Sequence, residues 1–341
     1  MALGSFPAFG SGSSTCPVAM STMSFPSWFG SRGRRGCVVI PSIVALLLEG
    51  VFPSDVSRIM FSMNRLSTEK RAAILGMMVE GNSLRATTRM AGCSINTVSK
   101  LLLDIGEACA SYQDEHLRDL PCKTIEADEI WSFVAYKERN KPAEMKGTFG
   151  TGDVWTWTAL DADSKLIVCW YVGDRKYEDA AAFMLDLKDR LRDRIQLTTD
   201  GHAAYPNAVG LAFRHNIDFA QLIKQYAADP RTGQARYSPP VCTGARVRVD
   251  RGNPDPAKIS TSYVERQNLT MRMGMRRFTR LTNGFSKKLD NHMASIALHF
   301  MHYNFGRPHT SLKNPYPRTP AMAAGVADHI WTLQEIAGLL D

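Results

Sequence analysis

Glutamate is scarce in the second half of the chain: after residue 200 only Glu265 and Glu335 occur. From Arg266 to Arg318 acids of either kind nearly vanish, with Asp290 standing alone against ten Lys or Arg. Such a segment suits a face turned towards a polyanion. No CxxC pair occurs among the seven scattered cysteines, which argues against a zinc ribbon and against a disulfide framework. Their odd number and wide spacing fit free thiols in a reducing compartment. An apolar run of the roughly 20 residues needed to cross a membrane is also missing. The stretch Cys37–Leu48 has only 12 residues, contains Pro41 and follows Arg32, Arg34 and Arg35. It lies too far from Met1, and lacks the small-residue cleavage pattern, for an export signal.

What is present is a basic chain of 341 residues with formal charge +8, long enough for one large domain or two to three modest ones. Residues 1 to about 36 are rich in Gly, Ser, Pro and Phe without sustained periodicity, and residues 1–62 as a whole are expected to be a disordered or spurious extension. Clean helical spacing starts after Met63, in NRLSTEKRAAILGMMVEG, which makes Met60 or Met63 an alternative start.

Residues 63–118 read as a three-helix unit. Ala72, Ile74, Leu75, Met78 and Val79 recur at helical spacing behind a Ser67 or Thr68 cap. Two short helices follow, Ser83–Ala91 and Ser94–Asp104, joined at Gly92 and Cys93, with Ser94 as cap. Asn96, Thr97, Ser99 and Lys100 are the polar positions of the second, of the kind that contact base edges and phosphates in a helix-turn-helix. A plain packing module has the same shape; the basic balance favours DNA.

Residues 119–312 alternate strands and helices. TIEADEIWSFVAY (124–136) reads as a strand, yet it contains Glu126, Asp128 and Glu129, and acids in a core strand are costly unless paired or bound to a metal. On an extended strand Glu126 shares a face with Asp128 and Glu129 points the other way, so Glu126 is the alternative first ligand. Residues 154–160 and 165–173 form a hairpin with Asp161 and Asp163 in its turn. Tyr177–Arg194 is an amphipathic helix. IQLTTDG (195–201) is a short strand ending in Asp200, where open α/β sheets place their chemistry. Residues 202–213 read as helix, 217–226 as strand and 227–259, with five prolines, as loop. TSYVERQNLTMRMGMRRFTR (261–280) reads as a helix placing Glu265 ahead of Arg272, Arg276, Arg277 and Arg280, followed by a helix over Lys287–Tyr303. Residues 313–341 are expected to be a proline-rich tail with a short final helix covering Ala327–Leu340.

The segments IEADEIWSFV, LTTDG, TSYVERQN with RMGMRRFTRLTNGFSKK, and HYNFGRPHTSL with TPAMAAGV together resemble the DDE transposases of bacterial insertion sequences, in the family named for insertion sequence one. The resemblance spans roughly Met63 to the C-terminus. It implies an α/β fold with a ribonuclease-H-like mixed sheet flanked by helices, preceded by an all-α helix-turn-helix domain. Asp128, Asp200 and Glu265 then correspond to the three catalytic and metal-binding acids. Two Mg²⁺ or Mn²⁺ ions are implied, because paired ions can activate an attacking oxygen and stabilise the leaving one, and three carboxylates suit such hard cations. Double-stranded DNA is the implied partner, Arg272, Arg276, Arg277 and Arg280 are its phosphate contacts, and self-association on DNA and a place in the bacterial cytoplasm at the nucleoid go with it. The implied activity is cleavage of the element's ends and their transfer to target DNA. A decayed relative acting only as a DNA-binding regulator, and a nuclease that only hydrolyses, are the competing readings. His299 and His302 suit a helix face or DNA better than a metal, and Asn304, Arg307 and His309 are expected near the site.

Overall fold

A computed structural model describes residues 65–148, 150–226, 242–279 and 283–341. The expectations for residues 1–62 and for Arg280 lie outside the described residues.

Three helices come first. α1 (Thr68–Val79), α2 (Leu84–Ala91) and α3 (Ile95–His116) each begin behind a serine whose side chain accepts the N–H three residues on, Ser67 from Lys70, Ser83 from Ala86 and Ser94 from Thr97. Such caps satisfy helix-end donors that would otherwise lack partners. Gly92, at φ 61°, takes the left-handed turn between α2 and α3, a conformation glycine adopts without steric cost. α3 continues well past Asp104, where the sequence pattern ends it, because Ile105, Cys109 and Gln113 prolong its buried stripe.

The six strands are β1 (Thr124–Val134), β2 (Gly152–Asp161), β3 (Ile167–Gly173), β4 (Gln196–Thr199), β5 (Asp218–Tyr226) and β6 (Cys242–Arg251). They form one mixed sheet in the order β3-β2-β1-β4-β5-β6. β1 and β4 pair in parallel, as do β4 and β5, and the remaining pairs are antiparallel. The β2–β3 turn is closed by Asp161, whose carboxylate accepts from the N–H (2.8 Å) and Oγ (2.6 Å) of Ser164. β6 corrects the sequence reading, which has residues 227–259 as loop. The five prolines there all fall outside 242–251, and within that stretch Ala245, Val247 and Val249 alternate with Arg246, Arg248 and Asp250 at the period of a strand.

α4 (Tyr177–Arg190) and α5 (Tyr205–Phe213) cover one sheet face. Phe183, Leu187, Tyr205 and Val209 share a core there with Ala127, Trp157, Leu197 and Phe219. α6 (Ser262–Gly274) and α7 (Leu289–Met301) cover the other face, where Val264, Met271, Ile296 and Phe300 pack with Ile130, Val154 and Leu160. Fully burying one such side chain is worth about 1.5–3 kcal/mol. α7 also meets α3 almost backbone to backbone: a Cβ built on Gly106 would lie 2.4 Å from the Cα and Cβ of Ala294.

The C-terminal segment carries two short helices, α8 (Pro320–Ala323) and α9 (Leu333–Gly338), so the final helix is shorter than expected. It folds back on α1, where Arg71 Nη1 donates to Ala337 O (3.1 Å) and Arg71 Nη2 meets Asp341 (2.8 Å). Among the described residues no helix is long and apolar enough to cross a membrane.

Candidate active site

The parallel register of β1 and β4 sets the first two acids side by side. Its last pair is Ala127 with Thr199, and the next residues along the chain are Asp128 and Asp200. Both lie just past the C-terminal end of the parallel β1–β4 pairing, Asp128 within β1 and Asp200 beyond β4, the side on which open α/β sheets gather their functional groups. Asp128, Glu129 and Asp200 offer carboxylate oxygens all within 4.8 Å of one another.

Glu129 joins this cluster despite its alternation. It leaves β1 on the face of α4 and α5, where Tyr205 Oη (3.0 Å) and Arg175 Nε (2.5 Å) donate to it. Asp128 leaves on the face of α6 and accepts from Asn268 Nδ2 at 2.7 Å. Asp200 sits one residue beyond the end of β4, so it can be approached from both faces. Arg175 Nη2 lies 3.5 Å from it, with the guanidinium stacked 4.8 Å over the Trp155 ring. Glu126, the alternative first ligand on sequence grounds, is engaged elsewhere. Its buried carboxylate accepts the N–H groups of Tyr263 (2.7 Å) and Val264 (3.0 Å), in the first turn of α6. Helix N-termini favour such anions.

Glu265 lines the same open cleft of about 560 Å³ as Asp128 and Asp200, although it stands outside the three-acid cluster. Lys224 Nζ binds both of its oxygens, and Thr261 Oγ1 donates to it at 2.6 Å. α6 therefore supplies Glu265 and, three residues on, the Asn268 amide that orients Asp128.

The electrostatics follow from this crowding. Burial, then the neighbouring Glu129, Asp200 and Glu265, push the Asp128 carboxyl up to about 7. Burial and then Asp200 raise Glu129, against the pull of Arg175. Burial works to lower the Lys224 ammonium, yet its bonds to Glu265 hold it above the ordinary range. Carboxylates this close repel unless a cation neutralises them. The all-oxygen donor set of Asp128, Glu129 and Asp200 fits Mg²⁺ or Mn²⁺, which take carboxylate and water ligands.

The residues expected to contact DNA have varied surroundings. Asn96 is exposed, and Thr97 Oγ1 lies 2.9 Å from Ser94 Oγ at the start of α3. Ser99 Oγ accepts from Asn291 Nδ2 on α7 (3.0 Å), and Lys100 pairs with Asp104 (2.5 Å). Arg276 is exposed and Arg272 half-buried. Arg277 Nη1 donates to Ser286 Oγ at 2.8 Å, and burial lowers its pKa to about 10. Ser286 Oγ in turn lies 2.9 Å from Nδ1 of the buried His292, whose Nε2 lies 3.1 Å from Ser132 Oγ. Asn304, expected near the acids, instead bonds the N–H and the C=O of Ile167 at the start of β3, 3.0 Å each.

Sequence reasoning did not single out Arg175, Tyr205, Lys224 or Asn268. The last sits in the quoted TSYVERQN segment, three residues beyond Glu265, at the spacing that puts two side chains on one helix face. The other three carry no motif.

No protein-family model matches the chain, and no curated protein sequence matches it. Solved structures give distant matches. A Mos1 strand transfer complex aligns at 11% identity over 76% of this chain and 88% of that one, with a TM-score of 0.21. A Mos1 transposase paired-end complex with left transposon end aligns at 9% over 52% and 70%, TM-score 0.19. A Mos1 mariner paired-end complex with Mn aligns at 10% over 49% and 68%, TM-score 0.17. At these scores the likeness carries no argument about fold or chemistry.

Proposed function

We propose that this chain is a transposase of ribonuclease-H-like fold, cleaving and joining DNA strands by metal-dependent phosphoryl transfer. The observation that carries the reading is the set of acids on one open cleft, Asp128 beside Asp200 with Glu265 also on its wall. Asp128, Asp200 and Glu265 would hold two Mg²⁺ or Mn²⁺ ions. Bound there, such ions supply Lewis-acid stabilisation to the attacking and leaving oxygens of a phosphodiester.

The residues of the chain supply the rest. Asn268 fixes the Asp128 carboxylate, and Tyr205 with Arg175 fix Glu129. Lys224 and Arg175 line the cleft, within reach of a phosphate. The helix-turn-helix unit of residues 63–118, through Asn96, Thr97, Ser99 and Lys100, and the arginines after Glu265 would hold duplex DNA. Two copies of the chain would bring two element ends together. One observation favours the regulator alternative: Glu265 is held by Lys224 and does not join the other acids.

The test uses the purified full chain, a supercoiled plasmid carrying the element's own ends, and Mg²⁺ or Mn²⁺. Nicking and end joining that require the metal and disappear in Asp200→Ala and Glu265→Gln would support the enzyme. Tight binding to the ends without cleavage under either metal would replace it with the regulator.

A further inference from the structure

β5 and β6 outrun the sheet that carries them. β4 pairs with β5 only as far as Thr199 opposite Gln221. Beyond that point Leu222 to Tyr226 pair with β6 alone, from Val247 back to Cys242. Among the described residues the result is a two-stranded ribbon with no third strand, and an isolated pair of this kind gains little from its own packing. This one also leaves large apolar side chains in water, with Val247 46% and Tyr226 56% exposed.

The ribbon starts inside the acid cleft, which Leu222, Ile223, Lys224 and Tyr226 line; Ile223, on the strand face opposite to Lys224, is the residue that Arg246 pairs across from. Its charge is one-sided. Over β5 and β6, Lys224, Arg246, Arg248 and Arg251 stand against two acids: Asp218, at the far end of β5, is taken by Arg194 at 2.7 Å, and Asp250 lies 3.3 Å from Arg251 and 3.8 Å from Arg248. Arg246 and Arg248 are exposed two residues apart, opposite Ile223 and Gln221, and therefore share one face. Among the described residues β6 is an edge strand, and such an edge can pair with the same edge of a second copy. Antiparallel self-pairing there would juxtapose arginines, and like charges across a strand pair are destabilising. A polyanion meets no such penalty. A two-stranded ribbon also has the width that the major groove of a duplex admits.

We infer that the β5–β6 ribbon is a duplex-DNA contact that leads the phosphate backbone out of the acid cleft, with Arg246 and Arg248 as its phosphate ligands. This rests on the reading of the cleft as a DNA-processing site and adds a binding surface that none of the sequence motifs marks.

The test compares the full chain with Arg246→Ala/Arg248→Ala, and with Lys146→Ala/Lys188→Ala, which removes the same charge elsewhere. A short labelled duplex is titrated at several salt concentrations, Mn²⁺ binding is measured calorimetrically, and sedimentation reports the oligomeric state without DNA. The arginine pair is expected to flatten the slope of log affinity against log salt by about 2, each phosphate contact contributing about 0.9. Mn²⁺ binding and oligomeric state should stay unchanged, and the lysine pair should keep the wild-type slope. Wild-type duplex binding with an unaltered slope in the arginine variant would overturn the inference while leaving the proposed function standing. A changed oligomeric state in that variant would overturn it in favour of a second copy. Absence of any duplex binding by the wild type would overturn both.

Discussion

Lys224 on β5 and Glu265 on α6, 41 residues apart in the chain, meet as a two-oxygen ion pair on the wall of the acid cleft. A protein ammonium thus occupies the carboxylate that the proposed metal centre needs. Replacing Lys224 by Gln is expected to tighten Mn²⁺ binding about 1.5- to 5-fold, the range set by a partly exposed ion pair. Calorimetric titration checks this, and the gain should vanish in Lys224→Gln/Glu265→Gln. Weaker binding in the single variant would mean that Lys224 supports the site.

Arg175 plays the corresponding part for Glu129 and Asp200. Changing it to Met strips the buried Glu129 of its charged donor and should cost about 1–2 kcal/mol of stability without divalent ions. Millimolar Mn²⁺ should restore most of that loss, since a cation would again face the cluster. Thermal melts with and without Mn²⁺ decide it; equal losses in both would assign Arg175 a purely packing role.

His292 sits buried between Ser132 and Ser286, with burial and then Arg277 lowering its pKa to about 3. The unfolded chain takes up this proton near pH 6.5 whereas the folded chain refuses it until far lower pH. The contribution is therefore complete above 6.5 and is lost as pH falls towards 3. The stability advantage of wild type over His292→Asn should shrink by about 1.4 kcal/mol per pH unit below 6.5. Denaturant unfolding of both proteins at pH 5.0, 6.0 and 7.5 measures it, and a constant difference would show that the histidine is not buried neutral.

Gly106→Ala tests the contact between α3 and α7. Alanine favours a helix by about 1 kcal/mol over glycine. Here its methyl would collide with backbone and Cβ of Ala294, and overpacking costs typically 1–3 kcal/mol. We expect net destabilisation in denaturant melts. A more stable variant would show that the two helices stand further apart.

The strands and helices that carry the acids were legible because their pattern is local. TIEADEIWSFVAY has the composition of a strand and acids that a strand should not bury, and LTTDG ends a short strand on its acid. Glu265 stood out through the scarcity of other glutamates. What remained hidden depends on register and reach. Nothing along the chain says that Lys224 will face Glu265, since that follows from how β5 lies relative to α6. Alternation puts Glu129 on the face opposite Asp128, as the structure has it, but does not tell that Asp200, past the end of its strand, comes close to both. β6 was obscured by prolines that flank it without entering it.

Glu126 accepts two N–H groups at the start of α6 and lies two residues before Asp128 on β1. The strand bearing the first acid and the helix bearing the last are thereby pinned together across a sequence separation of 137 residues, and the Asn268–Asp128 bond reinforces the link. The width of the cleft is consequently independent of how long that intervening chain is. Loops between β1 and α6 can grow, shrink or acquire new surfaces, such as the ribbon, while the spacing of the outer acids is inherited unchanged.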